Sequence, residues 1–260
     1  MSIADWTVAP VGRATNYVLE TVGGASMILW RIMRALVPPR FDGHETWRQL
    51  DRVGVRSAPI VIVTALFVGA IMVIQTAFYV NKTGATSLLG YGVGFTVFAE
   101  IGPILIGLMF SGRVGANNTA ELGTMVVTEQ VDALRALAID PMRYLVVPRF
   151  IAMMLMLTLL MVLGDLFAII GAAATAQGLI GLDWRVLIAN LIESHLLDEL
   201  TMGIVKAACF GVSISCISCY FGLSVSGGAA GVGRATNNSV VANATAIFLI
   251  DFLVGWLYTL

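Results

Sequence analysis

Residues 58–80 read APIVIVTALFVGAIMVIQTAFYV and contain no charged side chain. A helix that crosses the roughly 30 Å hydrocarbon core of a bilayer needs about 20 mostly apolar residues, so this stretch is long enough to span a membrane. Backbone groups in lipid must form their hydrogen bonds within one segment, and the stretch lacks the apolar–polar alternation of a barrel strand. We therefore predict a transmembrane helix here.

Four further stretches have the same character, at residues 91–110, 145–174, 202–223 and 240–260. Only 12% of the 260 residues are charged and 58% are hydrophobic, whereas an average soluble domain carries about 25% charged residues. The net charge of -1 provides no basic field that would hold nucleic acid. Composition therefore predicts an all-α integral membrane protein with five transmembrane helices and excludes a soluble or nucleic-acid-binding protein.

The N-terminal region differs from these spans. Residues 14–37 place their apolar side chains on one side, while Arg31 and Arg34 interrupt what would otherwise approach a span. This pattern predicts an amphipathic helix that lies in the membrane interface. We divide the chain into an N-terminal cytoplasmic and interfacial region, residues 1–52, and a five-helix transmembrane domain, residues 53–260.

The distribution of basic residues predicts the orientation. With the N-terminus on the cytoplasmic side, almost all arginines lie on that side, and only Lys82, Arg185 and Lys206 lie on the other. Basic residues concentrate in cytoplasmic loops of membrane proteins. We expect a multi-pass protein with its N-terminus in the cytoplasm and its C-terminus outside, where a second amphipathic stretch, residues 184–200, joins the third and fourth spans.

The loop at residues 111–148 reads SGRVGANNTAELGTMVVTEQVDALRALAIDPMRYLVVP. Thr128 is placed to cap a helix whose first turn carries Glu129 and Asp132, acids that suit the positive end of a helix dipole. The helix would present one apolar stripe, formed by Val131, Leu134, Leu137 and Ala138. Two interpretations stay open: a connector that packs on its own protein, or a lever that docks on a soluble partner.

Residues 224–239, SVSGGAAGVGRATNNS, are rich in glycine and predict a second cytoplasmic loop. A phosphate-binding P-loop requires a lysine directly after glycine, followed by Ser or Thr. Lys82 follows Asn81 and Lys206 follows Val205, so the chain lacks this motif. We expect that any energy from ATP reaches this chain through a partner.

Four ionisable residues fall within the predicted spans, namely Glu100, Asp165, Lys206 and Asp251. Such residues are costly in lipid and usually face a bundle interior or a cavity. Lys206 lies near the outer end of the fourth span, so we expect an intramembrane charge network in which it pairs with Asp165 or Asp251. Glu100 has no cation at its own depth. Because it precedes a helix-kinking Gly102-Pro103 pair, it is the best site candidate, or else a protonated residue that holds helices together.

Catalytic patterns are weak throughout. No histidine lies in a span to activate a nucleophile. The run Glu193, His195, Asp198 and Glu199 has metal-ligand residue types, yet it fits the polar face of the outer amphipathic stretch better. We therefore expect no catalytic residue, no metal site and no enzymatic activity in this chain.

The run from Glu100 to Pro141 contains E-x-G-P, G-R-V-G-A, A-E-L-G-T-M, T-E-Q-x-D-A-L-R and D-P in order. It resembles the MlaE/YrbE family of permeases, the membrane subunits of MCE-associated ABC transporters that move lipids in Gram-negative bacteria, actinobacteria and chloroplasts. The resemblance continues through Pro148-Arg149, Gly164-Asp165, the residues around Lys206 and the G-V-G-R-A-T run. It covers roughly residues 53–260.

The resemblance implies an MlaE-type ABC permease fold and a bacterial inner-membrane location. It also implies a homodimer on two ABC ATPases, which would bind ATP and Mg, together with periplasmic MCE-domain subunits and in some systems a STAS-domain protein. The transported lipid would be a phospholipid or a relative. This chain would hold no cofactor itself.

The resemblance also implies site residues. Residues 121–139 would contain the coupling helix, with ATPase contacts from Glu121, Glu129, Asp132, Leu134 and Arg135. The lipid would lie in an apolar cavity at the dimer centre, walled by the first, second and fifth spans near Glu100. Its expected lining is completed by Met72, Gln75, Tyr79 and Val80.

Two other functional classes remain open. A secondary transporter would use Glu100 and the other buried charges as a proton or ion relay, whereas an envelope scaffold would need none of them. Secondary transporters often contain internal repeats, and the sequence has none that we detect. The ABC permease is therefore our expectation, and the ion-coupled transporter is its alternative.

Overall fold

The computed structural model describes residues 3–36, 43–83, 88–181, 183–193 and 196–260. Within these residues the chain forms eleven α-helices, several of which are joined end to end by π-helical turns. The α-helices are α1 (Ile3–Leu36), α2 (Gly43–Leu50), α3 (Ala58–Thr83), α4 (Leu88–Phe95), α5 (Gly102–Phe110), α6 (Ala116–Val127), α7 (Gln130–Ala136), α8 (Val147–Thr175), α9 (Trp184–Glu193), α10 (Leu197–Leu223) and α11 (Gly228–Tyr258). The π-helical turns are Asp51–Val55, Thr96–Ile101, Ser111–Gly115, Met142–Val146 and Ala176–Ile180.

Five helical stretches are long and apolar enough to cross a membrane, which confirms the predicted fold class. They are Gly43–Phe78, Gly90–Val127, Met142–Leu179, Leu197–Leu223 and Gly228–Tyr258. One core cluster includes side chains of α7, and another includes side chains of α9. The two clusters lie toward opposite ends of the bundle. We call these the α7 end and the C-terminal end of the bundle.

The first and third spans, α3 and α8, pack closely because glycines face each other's backbone. A Cβ atom on Gly69 would overlap the carbonyl oxygen of Ala168, and one on Gly171 would overlap that of Leu66. Small residues let helices approach closely where lipid gives no hydrophobic drive for their association. This contact fixes the scaffold around which the other spans are arranged.

The N-terminal helix α1 begins earlier than predicted, at Ile3. Its second half packs Ile28, Ile32 and Ala35 into the core cluster at the α7 end, while Val22 and Met33 stay exposed. Within the described residues, α1 is not among the stretches that qualify as spans. An amphipathic helix is therefore present, and its position in the interface stays a prediction.

Two predicted loop boundaries are wrong at the α7 end. The second span continues as helix to Val127, and Thr128 closes it, with its hydroxyl donating to the Thr124 carbonyl, instead of capping the next helix. Residues 224–239 are helical from Gly228 onward. Their small polar side chains indicated a loop, but Ser239 is buried and accepts a 2.8 Å hydrogen bond from Thr119.

The predicted amphipathic stretch at residues 184–200 is also not one helix. It divides into α9, which ends at Glu193, and the first turn of α10, which begins at Leu197. The fourth span therefore begins at Leu197, earlier than its apolar residues alone indicated, and the added residues lie at the C-terminal end of the bundle.

Candidate functional site

Lys206 lies in α10 with 0% of its surface exposed and is the centre of a group of ionisable side chains. Its Nζ lies 2.8 Å from Oδ1 of Asp251 on α11 and 3.3 Å from Oε1 of Glu100. A buried cation is stable only when it is paired and hydrogen-bonded. Two carboxylates from two other helices provide this pairing. We call Lys206, Asp251 and Glu100 the lysine cluster.

A backbone acceptor completes the cluster. The Nζ of Lys206 donates a 2.7 Å hydrogen bond to the carbonyl oxygen of Ala99. In an α-helix this carbonyl would accept from the N–H four residues later, but that position is Pro103, which has no N–H. The π-helical turn Thr96–Ile101 also loosens the helix at this point. The proline thus leaves an acceptor inside the membrane for the lysine.

The lysine cluster corrects the expectations for the buried charges. The expectation that Glu100 has no cation at its depth is wrong, because Lys206 reaches it. Of the two acids expected beside Lys206, Asp251 is in contact and Asp165 is not. Asp165 is buried on α8, and neither of its carboxyl oxygens has a hydrogen-bond partner among the described residues.

The sequence placed Lys206 too close to the membrane surface. The fourth span was counted from residue 202, where the apolar run begins, but α10 starts at Leu197. At about 1.5 Å per residue, Lys206 lies roughly 13 Å inside the helix and therefore reaches the level of Glu100.

A cavity of about 480 Å³ lies against the lysine cluster at the C-terminal end. Its walls come from the second, fourth and fifth spans, and Glu100 and Asp251 both line it. The rest of the lining is mainly apolar and aromatic, with two further acids at the rim: Phe95, Met202, Phe252, Gly255, Trp256, Tyr258, Asp198, Glu199 and Thr259. Such a cavity binds ligands through buried apolar surface, while a few polar groups orient them.

The structure brings Glu100 to this cavity but not Met72 or Gln75. Met72 is buried in the core cluster that α3 forms with α8, and Gln75 is exposed elsewhere on α3. The side chains of Tyr79 and Val80 lie outside the described residues. Within the single chain, the cavity beside Glu100 is therefore walled by the fourth span where the first was expected.

Glu121 at the α7 end is held by its own protein. Its carboxylate accepts two hydrogen bonds, of 2.8 and 2.9 Å, from Arg52. Arg149, buried on α8, approaches the same carboxylate to 3.4 Å. This pairing holds Glu121 within its own protein, and its expected contact with an ATPase stays a prediction.

The apolar side chains that were predicted to form one stripe on and after α7 differ in burial. Val131 is buried and Leu134 packs against the core cluster at the α7 end, whereas Leu137 is 71% exposed. Asp132 and Arg135 form an exposed ion pair of 2.8 Å. One side of this segment therefore packs on its own protein, and the other is exposed, so docking on a soluble partner stays a prediction. Glu129, which takes a left-handed backbone conformation at the start of α7, is also exposed.

The family model described as Permease MlaE matches residues 46–257, which include the lysine cluster, α7 and all but the outermost residues of the first and fifth spans. The chain belongs to the MlaE permease family. The resemblance stated from its motifs is thereby confirmed. A multi-pass membrane protein is also what the five apolar stretches indicate.

Relatives of this MlaE permease include two probable ABC transporter permeases and a chloroplast protein. A probable ABC transporter permease protein of Rickettsia felis is 36% identical over 250 residues, covering 95% of this chain and 96% of the relative. One of Synechocystis sp. is 35% identical over 233 residues, covering 90% and 89%. The chloroplastic protein trigalactosyldiacylglycerol 1 of Arabidopsis thaliana is 31% identical over 231 residues, covering 89% and 65%.

The permease is thus an ABC transporter permease of the MlaE family, and such permeases work with ATPase and substrate-binding partners. Sequence reasoning missed most of the cavity wall on α11, although its spacing contains the signal. Asp251 and Gly255 are four residues apart, as are Phe252 and Trp256, so each pair shares a helix face. That face is the one that lines the cavity.

Proposed function

We propose that this chain is the permease subunit that carries phospholipid, or a related lipid, between the bacterial inner membrane and a periplasmic MCE protein. The single observation that carries the proposal is the cavity of about 480 Å³ beside the lysine cluster. Its aromatic and aliphatic walls suit acyl chains, because apolar burial contributes about 25 cal/mol per Å². Its few charged groups suit the polar part of a lipid.

The exposed side of α11 supports a homodimer in which two such cavities would meet. Phe248, Leu249, Phe252 and Leu253 are each more than half exposed in the single chain. Such a continuous apolar helix face faces either lipid or a partner helix. In the proposed dimer this face would extend the cavity wall from one subunit to the other.

ATP would act through a separate ATPase. The described part of α7 that stays exposed, Leu137 with the Asp132–Arg135 pair, is the surface that we assign to this contact. An exposed apolar residue flanked by charges suits a groove on a soluble protein. The α7 end would then face the cytoplasm, together with the arginines that cluster there.

The Arabidopsis relative supports a lipid substrate, because it is named after a galactose-bearing diacylglycerol. The headgroup and the direction of transport are not part of the proposal. Periplasmic MCE subunits and a STAS-domain protein are proposed as partners on the resemblance alone.

Gly255 allows a direct test of the cavity. A Cβ atom at this position would meet only Oε1 of Glu100 and Nζ of Lys206, each at 3.9 Å, so a larger side chain can be introduced without disturbing the backbone. Gly255→Trp would fill the cavity over the lysine cluster, and Gly255→Ala is the matched control. We expect lipid that co-purifies with the protein, measured by mass spectrometry, to fall roughly fivefold in Gly255→Trp only. Unchanged lipid in both variants would contradict the proposed site.

The alternative function is an ion- or proton-coupled secondary transporter. The observation that favours it is Asp165, whose buried carboxyl oxygens have no partner among the described residues. Buried carboxyls of this kind form proton relays in pumps. Lipid movement that follows a proton gradient, without any ATPase, would support this alternative. A neighbouring gene for an ABC ATPase and another for an MCE protein would support the permease.

A further inference from the structure

A second cavity, of about 280 Å³, lies at the α7 end, far from the lysine cluster. It is formed where the α2–α3 junction meets α6. Three arginines line it, Arg52, Arg56 and Arg113, and Glu121 is the only acid among its lining residues. Neither the lipid cavity nor the proposed ATPase contact uses this site.

The charge of this cavity is not balanced within the described residues. Glu121 is already bound by Arg52 and approached by Arg149. Arg56 and Arg113 are exposed and form no ion pair with any other described residue. Two guanidinium groups therefore face the cavity without an anion. Guanidinium groups bind phosphate oxygens with paired hydrogen bonds, which makes arginine the residue of choice for phosphate recognition.

Unpaired polar atoms in the cavity wall also indicate a ligand. The hydroxyl of Ser57 and the side-chain carbonyl oxygen of Asn118 are both buried, and neither has a hydrogen-bond partner among the described residues. Both residues line the cavity. Buried polar groups in native proteins are nearly always hydrogen-bonded, so these two atoms leave unused hydrogen-bonding capacity in the cavity wall, which a small shift of either side chain would turn toward an occupant.

The position of the cavity indicates where the occupant comes from. Arg56 lies two residues before the first apolar span, α3. Val55 and Ile60, on either side of it in sequence, are 64% and 46% exposed, and Trp47 on α2 is 73% exposed. Exposed apolar and aromatic side chains at a span end lie at the headgroup level of a bilayer. The cavity therefore opens at the height of the lipid phosphates.

We infer that this cavity binds the phosphate group of an anionic glycerophospholipid from the adjoining leaflet, at a site separate from the proposed lipid cavity. The arginines at positions 56 and 113 bind the phosphate oxygens, the Ser57 hydroxyl donates to them, and a headgroup hydroxyl donates to Asn118. Only the headgroup enters, because 280 Å³ is too small for a whole lipid. This inference does not depend on the direction of transport or on the proposed function.

The test uses the full-length protein in detergent, titrated with dioleoylphosphatidylglycerol and followed by native mass spectrometry. We expect Arg56→Gln/Arg113→Gln to weaken the tightest phosphatidylglycerol binding roughly tenfold or more, since each basic residue near anionic lipid contributes appreciably. Arg48→Gln is the matched control. Arg48 lies one turn before Arg52, is exposed, and does not line the cavity. Its binding should stay within about twofold of the native protein.

Two further arms separate the sources of phosphate and the role of charge. Inorganic phosphate should displace the lipid no better than sodium chloride of equal ionic strength. Arg56→Lys/Arg113→Lys should bind more tightly than the double glutamine variant but less tightly than the native protein, because lysine keeps the charge and loses the paired hydrogen bonds. Equal loss in the Arg48 control, native binding in the double glutamine variant, or displacement by free phosphate would each overturn the inference. If the double variant does not fold, a headgroup photo-crosslinking phosphatidylglycerol decides. Crosslinks to residues 49–57 and 113–118 of the native protein support the site, and their absence contradicts it.

Discussion

Each end of the bundle contains a cluster of three ionisable side chains, and the two clusters have opposite arrangements of charge. At the C-terminal end one cation, Lys206, lies between two carboxylates, Asp251 and Glu100. At the α7 end one carboxylate, Glu121, lies between two guanidinium groups, Arg52 and Arg149. Each cluster carries one uncompensated charge, negative at the first end and positive at the second. Both clusters are stabilised by pairing, and each lines a cavity in which we propose a ligand of a different kind.

The clusters differ in how deeply they are buried, and this difference indicates which of them contributes more to the free energy of unfolding. The side chain of Lys206 is 0% exposed, whereas that of Glu121 is 25% exposed. Leaving a charge unpaired costs more where water cannot reach it. We therefore expect the lysine cluster to dominate stability and the Glu121 cluster to contribute less.

The largest effect is expected from Lys206→Met. The substitution keeps the volume but leaves Asp251 and Glu100 side by side without a cation. Breaking a buried ion pair costs about 3–5 kcal/mol, so the variant should unfold at a much lower temperature in detergent. Lys82→Met, which changes an exposed lysine on α3, is the matched control and should leave unfolding unchanged.

The same cluster can be divided further. Lys206→Met/Asp251→Asn should recover part of the lost stability, because it removes one of the two unpaired acids. Asp251→Asn alone should destabilise more than Glu100→Gln, since the Asp251 side chain is 12% exposed and that of Glu100 is 40% exposed. If Asp251→Asn and Glu100→Gln lose the same stability, burial does not determine which of the two acids contributes more.

A smaller effect is expected from Glu121→Gln. Arg149 would stay buried with its charge uncompensated, although its 3.3 Å hydrogen bond to the Leu145 carbonyl remains. Loss of one buried charge-assisted contact costs about 1–3 kcal/mol, which calorimetry or chemical unfolding should detect. Asp132→Asn breaks the exposed Asp132–Arg135 pair as a control and should change the free energy of unfolding by less than about 0.5 kcal/mol. A greater loss of stability in Asp132→Asn than in Glu121→Gln would contradict this ranking.

The smallest effect on stability is expected from Leu137→Asp. Leu137 is mostly exposed, so the change in the free energy of unfolding should stay within about 0.5 kcal/mol. If α7 is the ATPase contact, lipid transfer driven by ATP should nevertheless fall roughly tenfold. Leu134→Asp would not separate these effects, because Leu134 packs against the core. Normal transfer by Leu137→Asp would exclude this residue from the ATPase contact.

The existence of all five spans could be predicted from single apolar runs, because lipid imposes the same requirement on every helix. Their ends could not. Ser239 indicated a loop by composition, yet it is 0% exposed and lies inside a helix–helix contact. Whether a small polar residue lies in a loop or between helices depends on a partner about 120 residues away in sequence, here Thr119.

The candidate site could be predicted in part. The buried ionisable residues and the proline were evident, and their cost in lipid marked them as important. Their pairing could not be derived, because Lys206 meets Glu100 across 106 positions of the chain, and depth alone left Asp165 and Asp251 open while excluding Glu100. The role of Pro103 needed the structure as well, since only the fold shows that the Ala99 carbonyl faces Lys206.

We propose that an ATPase bound at the α7 end drives lipid movement through the cavity at the C-terminal end. The most direct measurement is lipid transfer from proteoliposomes that contain this chain with and without its partner ATPase. We expect ATP-dependent lipid transfer only when both proteins are present. This transfer should be lost in Gly255→Trp but not in Gly255→Ala. Complete transfer by this chain alone, driven by a proton gradient, would contradict it.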